Sequence, residues 1–441
     1  MVAEPTVQAA LFPLADAPAV APTMPPAING HQAAGSLPST WKEAGRGWGH
    51  PLHKLSPYVG KFPAQLARFF ILNLSDPGQT VFDPWSGGGT TALEAVLCGR
   101  AAVASDAFEY AYTLSHAKSN PLSYNEFDGY LTGKIAEAAA IDNTNWRLLD
   151  NEDVRVSFSD HTLDQLLRLR EVLRDDGSRE ALFLKAVVCG VLHGPSKMFL
   201  SAPQKDQTSS TTAYVRKYLG ERGIASPDRD LYASCMRKAE LSLSSPLPQG
   251  DACLLRADCR DVPLKDASVD LVVTSPPYMS VLSYPWNNWL RLWWLGVDRL
   301  AEGDKLMQSG KEGVYRQFVS AALAEMWRVM TPNSAAVIVV GDVEQKTTKT
   351  VTVINSARLI ADEAAPLGFE VDRIIDDVYA LNARSMLVQN AIKWQYSPDD
   401  HAAKSSVLTD RCLVLRKGNI AWRCPPIDWA TMKARRTFTL A

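Results

Sequence analysis

Apolar residues along this chain gather into short runs that end on an acid, a glycine or a proline, and the runs alternate with stretches of helical period. Val81-Phe82-Asp83 is the first such run, and Pro84-Trp85-Ser86-Gly87-Gly88-Gly89-Thr90-Thr91 follows it. Ala92 to Leu97 then has the texture of a helix closing at Cys98-Gly99. Ala101 to Ser105 reads as a second strand, ending at Asp106. Val269 to Thr274 reads as a strand that stops at Ser275-Pro276-Pro277-Tyr278. A helix is expected over Tyr315 to Met330, a turn at Pro332-Asn333 and a buried strand over Ala335 to Val340. Arg411 to Lys417 reads as a late strand with polar ends. Apolar runs too short for helices, each followed by a helical stretch, predict an α/β sheet with mostly parallel strands, wound on both faces.

The stretch over residues 121–250 has another texture. Leu163, Leu166, Leu167, Leu169, Val172 and Leu173 carry helical spacing, and so do Leu182, Leu184, Val187, Val188, Val191 and Leu192. Lys197, Lys205, Arg216, Lys217 and Arg222 then outnumber Asp206 and Glu221, with Tyr214 and Tyr218 interleaved. The pattern predicts an inserted helical subdomain with a loop-rich basic edge. A phosphate-binding surface and an ordinary solvated loop both fit that edge. Residues 1–45 form a Pro/Ala-rich start without a cation before Lys42, expected to be a disordered tail. The expected division is that tail, a cofactor-binding half over 46–120, the helical insertion over 121–250, a second half of the same domain over 251–420, and a C-terminal tail over 421–441.

Composition narrows the class. Of 441 residues, 46% are apolar and 21% charged, which is globular rather than disordered. The formal charge of −2 does not demand a polyanionic partner and does not forbid a local basic face. No apolar run is long enough to span a bilayer. Seven scattered Cys include no C-x-x-C pair, and the seven His include no H-E-x-x-H, so no metal site is expected. A reducing compartment suits that cysteine usage.

The glycine turn carries the first chemical signal. Glycines between a strand and a helix let a ligand approach the backbone, and the helix start offers free N–H groups. Asp106, at the end of the next strand, suits a carboxylate gripping ribose hydroxyls. Gly87-x-Gly89-x-x-Ala92 formally fits the dinucleotide fingerprint. Yet Asp83 would repel a pyrophosphate and would suit a ligand bearing an ammonium group. A tight turn with no ligand needs similar glycines.

The second signal is Ser275-Pro276-Pro277-Tyr278. Two prolines fix φ twice and remove two N–H donors, which leaves the Pro276 carbonyl as an acceptor in a stiff frame. Ser275 adds a hydroxyl and Tyr278 an aromatic face on which a base could stack. An amine conjugated to a base ring is a poor nucleophile. Acceptors holding its hydrogens free the nitrogen lone pair. A plain strand terminator would also tolerate the prolines.

Asp83-Pro84-Trp85-Ser86-Gly87-Gly88-Gly89-Thr90-Thr91 resembles the cofactor motif of the S-adenosylmethionine-dependent DNA amino-methyltransferases, with Trp85 where Phe is usual. Thr274-Ser275-Pro276-Pro277-Tyr278 resembles that family's catalytic motif. Lys61-Phe62-Pro63 resembles the segment that closes over the methionine moiety, and Asp258-Cys259 the acidic segment near the adenosine end. The resemblance covers roughly residues 46 to 120 and 250 to 420. It implies a Rossmann-like methyltransferase sheet with S-adenosylmethionine held by Lys61, Phe62, Pro63, Asp83, Pro84, Gly87, Gly89, Thr90, Thr91, Asp106, Asp258 and Cys259. Ser275, Pro276, Pro277 and Tyr278 would then be catalytic, and Ser at the first motif position is the usual sign of cytosine N4 rather than adenine N6. The partner implied is double-stranded DNA with a flipped target base, read or clamped through Lys197, Lys205, Arg216, Lys217 and Arg222. A companion restriction endonuclease is compatible with such an enzyme.

Other readings stay open on the sequence: an RNA-base amino-methyltransferase, a non-catalytic nucleic-acid-binding subunit and a dinucleotide-dependent oxidoreductase. Methylation at cytosine carbon-5 does not fit, since its thiolate typically sits in a Pro-Cys pair and no such pair occurs. Trp286, Trp289 and Trp293 fall at one-face helical spacing, as a core stripe or as the wall of a base pocket. His53 and His193 are expected to be structural.

Overall fold

The computed structural model describes residues 49–61, 63–141, 152–194, 198–202, 209–279, 283–346, 351–380 and 407–423. The expected tail over 1–45, the C-terminal tail beyond Arg423, and Phe62, Lys197 and Lys205 lie outside the described residues.

Among the described residues a seven-stranded sheet forms the centre. Its strands are β1 (Thr80–Asp83), β2 (Ala101–Ser105), β3 (Ala252–Leu255), β4 (Val269–Thr274), β5 (Met330–Gly341), β8 (Glu370–Ala380) and β9 (Val407–Lys417). Between β5 and β8, β6 (Val343–Lys346) and β7 (Val351–Ile354) pair as a separate ribbon. The sheet order is β3-β2-β1-β4-β5-β9-β8. β1 to β5 pair in parallel, and β9 runs antiparallel between β5 and β8. The chain winds outward from β1 in both directions, as the expected Rossmann-like sheet requires.

Both faces are covered, which is why the strands read as continuous apolar runs rather than alternating ones. Phe82, Val272, Ala336, Ile338 and Leu413 pack under helices α13 (Glu312–Val329) and α14 (Ser356–Ala364). Val81, Leu271, Val273, Val337 and Val414 pack against α1 (Ala64–Leu74) and α2 (Thr90–Leu97) on the opposite face. The expected turn at Pro332-Asn333 interrupts β5 rather than preceding it. Met330 pairs with Val269, Asn333 adopts φ 62°, and pairing resumes at Ala335 opposite Leu271. Proline has no N–H for the ladder, so the strand bulges there.

Residues between β2 and β3 are helical: α3 (Glu109–Ser119), α4 (Tyr124–Ala139), α5 (Glu152–Ser157), α6 (Asp160–Val172), α7 (Arg179–Leu192), α8 (Thr212–Arg222) and α9 (Leu231–Ser242). Side-chain caps set several of the starts. Ser123, Ser159, Ser178, Thr211 and Asp230 each accept a backbone N–H of the first turn, and Ser123 with Glu126 completes a capping box. All of these helices except α8 share one apolar core with Leu52 and Leu55 of the N-terminal segment and with Leu290, Leu292 and Trp294.

Two expectations need correction. Arg216, Lys217 and Arg222 lie on helix α8, not in a loop-rich edge. Thr211 caps its start and Gly223, at φ 59°, closes it, so the polar composition concealed a helix with strong ends. The tryptophans do not share one helix face. The chain breaks at Asn288 between α10 (Tyr284–Asn287) and α11 (Trp289–Leu295), and α12 (Arg299–Asp304) follows. Trp289 and Trp293 pack against the helical core, whereas Trp286 is 55% exposed.

Candidate active site

A cavity opens where β1, β2 and β4 end. It lies beyond the carboxyl ends of the strands, at the point where the winding direction reverses. The glycine turn, Asp106, the segment after β3 and the start of the Ser-Pro-Pro-Tyr segment all reach its wall.

The glycine turn is built by close packing. Gly87 and Gly89 adopt φ 47° and 69°, in the left-handed region. A Cβ at Gly89 would stand 2.8 Å from Ser115 Cα, so α3 presses directly on the turn. Ser86 and Ser115 hydroxyls bond at 2.9 Å, and Ser115 Oγ donates to the Gly87 carbonyl at 3.3 Å. Lys118, one turn further along α3, is fully buried and donates from Nζ to the Gly88 carbonyl at 2.5 Å. Burial pushes its ammonium well below the ordinary lysine range. No motif announced Ser115 or Lys118, because they meet the turn across about thirty residues of chain. Tyr58 and Lys61 cover the turn from the other side: a Cβ at Gly87 would meet Tyr58 Cε1 at 3.1 Å.

Asp106 locks the turn to β2. Its Oδ2 accepts from the Gly87 N–H and its Oδ1 from the Phe108 N–H, both at 2.9 Å. The carboxylate still reaches the cavity wall. Burial raises its pKa to about 6, against the pull of those two N–H groups.

Asp83 is placed differently. It is 1% exposed and does not line the cavity. Its Oδ1 accepts from Thr274 Oγ1 at 2.5 Å and from the Trp85 N–H at 3.2 Å. Thr91 Oγ1 donates to the Val273 carbonyl at 2.9 Å. Asp83 and Thr91 thus tie the glycine turn to the end of β4, just before Ser275. Burial pushes the Asp83 carboxyl up to about 7, and nearby Asp106 adds to that. Its ionisation is therefore easier in the unfolded chain than in the ligand-free fold. Stability from this group is full at low pH and is lost as pH rises from about 4 to about 7. The melting temperature of the ligand-free protein should fall over that window, and Asp83→Asn should flatten much of the slope. An equally steep slope in the variant would exclude Asp83 as the source.

Of the other expected residues, Lys61, Pro84, Gly87, Thr90, Asp258, Cys259, Ser275 and Pro277 line the same cavity. Gly89, Thr91 and Pro276 are buried around it without lining it, and Pro63 precedes α1 as its cap residue. Asp258 accepts from Arg260 Nη2 at 2.6 Å, and Arg260 stands over the Phe318 ring. Tyr278 is half-buried and not in the wall; its ring lies beside Gly341 at the end of β5, the strand next to β4. Aromatic rings also line the cavity: Tyr58 with Phe108 near Tyr284 on one side, Trp85 with Phe318 on another. Tyr58 sits in the segment before Lys61, but Phe108 and Phe318 carry no motif.

Outside the cavity, His53 Nε2 meets Glu94 Oε1 at 2.7 Å and ties the N-terminal segment to α2. His193 is fully buried beside Ser209. Both fit structural roles. Among the described residues, no cluster of His, Cys, Asp or Glu could hold a metal ion, and no helix is long and apolar enough to cross a membrane.

Residues 36–117 match the DNA methylase family model N6_N4_Mtase. The expected kinship with the N4/N6 amino-methyltransferases is thereby borne out, over the span that holds the glycine turn and Asp106. A candidate DNA modification methylase of Thermus thermophilus, complexed with S-adenosyl-L-methionine, is 24% identical; it aligns over 41% of this chain and 61% of its own, with TM-score 0.24. The present chain therefore spans about three fifths of that protein. The [4+2]-cyclase SpnF is 10% identical, over 81% of this chain and 82% of its own, with TM-score 0.34. A geranyl diphosphate methyltransferase in complex with SAM is 9% identical, over 80% and 85%, with TM-score 0.32. No curated protein matches the sequence.

Proposed function

We propose that this protein is an S-adenosylmethionine-dependent DNA methyltransferase acting on the exocyclic N4 amine of cytosine. One observation carries the reading: Ser275 and Pro277 line the same cavity as the glycine turn and Asp106. A donor and an amine could meet there.

The residues present fit the cofactor. Asp106 accepts from ribose hydroxyls with the lone pairs its two N–H partners leave free. Asp258 accepts from an adenine amine between the Trp85/Phe318 and Tyr58/Tyr284 walls. Lys61 and Pro63 border the methionine end, with Gly87, Thr90 and the buried Gly89 shaping the floor. Asp83 supplies negative charge from beneath the turn, which favours an ammonium nearby. When bound, S-adenosylmethionine supplies an electrophilic methyl group on a sulfonium sulfur.

The chain's own part is to position and to accept. The Ser275 hydroxyl oxygen and the Pro276 carbonyl accept hydrogen bonds from the amine N–H groups, which turns the nitrogen lone pair toward the donor. Much of the rate comes from that orientation. Tyr278 stacks on a base flipped from the duplex, at a flipping cost of a few kcal/mol. Arg216, Lys217 and Arg222 on α8 meet backbone phosphate.

Tyr278→Ala is expected to lower methyl transfer by about 10- to 10²-fold while leaving affinity for S-adenosylhomocysteine unchanged, since the lost stacking falls on the base alone. A tritiated-methyl assay with calorimetry checks this, and full activity would remove Tyr278 from the site. The reaction itself is tested by mass spectrometry of nucleosides from DNA of cells expressing the protein. N4-methylcytosine is the expected product. N6-methyladenine would reassign the base, and neither product would refute the reading.

A further inference from the structure

Trp286 is half-exposed at 55%, and Leu300, on the neighbouring helix α12, is 64% exposed. The guanidinium of Arg299 lies 3.6 Å from the Trp286 ring centroid. This stack fixes the indole and covers one of its faces, leaving the other to solvent.

Among the described residues, Arg299 makes no ion pair. Its Nε is buried without a hydrogen-bond partner among the described residues. The neighbouring acids are engaged: Asp298 Oδ1 accepts from the Ala301 N–H at 2.8 Å as the cap of α12. Glu302 points inward, fully buried, to Arg256, Lys305 and the Glu109 N–H.

The segments that flank the pair line the cavity. Tyr284, two residues before Trp286 on α10, lines the cavity, as do Lys305, Leu306 and Met307 just after α12. We infer that Trp286 and Arg299 form a stacking platform for a nucleobase of the strand entering the cavity, with a phosphate of that strand on the guanidinium. This rests on the reading of a nucleic-acid substrate. An apolar protein segment would satisfy the indole but strip water from an unpaired cation. A nucleic-acid strand offers a π-face and an anion together.

Two labelled single strands of equal charge separate the contributions: oligo-dC of about 12 nucleotides and an abasic strand of the same length. Binding to the full chain is followed by fluorescence anisotropy. The wild-type protein should prefer the base-bearing strand by roughly tenfold. Trp286→Ala should erase that preference without weakening the abasic strand, and Trp286→Phe should keep most of it. Arg299→Gln should weaken both strands and lower the salt slope by about one. An unchanged preference in Trp286→Ala, or an equal loss on both strands, overturns the platform. So does a shift from dimer to monomer on sedimentation, which would assign the patch to a second copy of this chain. A wild-type protein that methylates no DNA yet prefers the base-bearing strand refutes the proposed reaction and leaves the platform standing. One that methylates DNA while Trp286→Ala binds and reacts like it refutes the platform alone.

Discussion

Replacing Asp106 with Ala is expected to weaken the affinity for S-adenosylhomocysteine by roughly 10²-fold, read by calorimetry. Two losses combine. The carboxylate leaves the cavity wall, and hydrogen bonds to a charged acceptor contribute about 1.5–3 kcal/mol each. The Gly87 and Phe108 N–H groups also lose their common acceptor, so the turn is no longer tied to the end of β2. Asp106→Asn separates the two. An amide keeps one acceptor for one of those N–H groups but carries no charge, so it should hold the turn better than Ala while still binding ligand poorly. Unchanged affinity in Asp106→Ala would contradict the placement of the cofactor. A variant that fails to fold would be seen in its melting transition and replaced by the Asn variant.

The largest effect on stability is expected at Gly190, far from any motif. It lies in α7, where an added Cβ would come within 2.0 Å of the Leu55 carbonyl oxygen and 3.0 Å of Lys238 Cε. The lysine can move, but the backbone of the N-terminal segment cannot do so without displacing Leu52 and Leu55 from the core they share with α7. Gly190→Ala should therefore cost at least the ~3 kcal/mol at the upper end of overpacking. Denaturant midpoints measure it. Gly133→Ala in α4, where nothing lies within 4 Å, is the control and should raise stability by about 0.5–1 kcal/mol through helix propensity. Equal midpoints for wild type and Gly190→Ala would show that α7 does not seat on Leu55 in this way. The same contact bears on function: Leu55 precedes Tyr58 and Lys61, which cover the glycine turn.

The sheet was legible because its signals are local. A strand buried on both faces must be apolar throughout, and β1, β2, β4 and β5 are such runs, with Asp106 after β2 and Ser275 after β4 in the cavity wall. The glycines and the two prolines could be read for the same reason: each imposes its backbone conformation whatever surrounds it. Helix α8 was missed because its caps, Thr211 and Gly223, bracket a stretch whose composition resembles a loop. The break at Asn288 was missed because side-chain spacing cannot reveal a change of axis.

What the sequence determined by itself is thus the kind of fold and the kinds of group at the strand ends, since these follow from steric and hydrophobic rules acting within a few residues. Tertiary structure decided which of those groups face the cavity. It buried Asp83 against Thr274, left Asp106 in the wall and set Tyr278 beside Gly341. It also brought Ser115 and Lys118 under the glycine turn and the Tyr58, Phe108 and Phe318 rings around the ligand space. Those placements depend on how α3, α13 and the N-terminal segment pack on the sheet. Packing between elements far apart in the chain leaves no periodicity for a sequence to display.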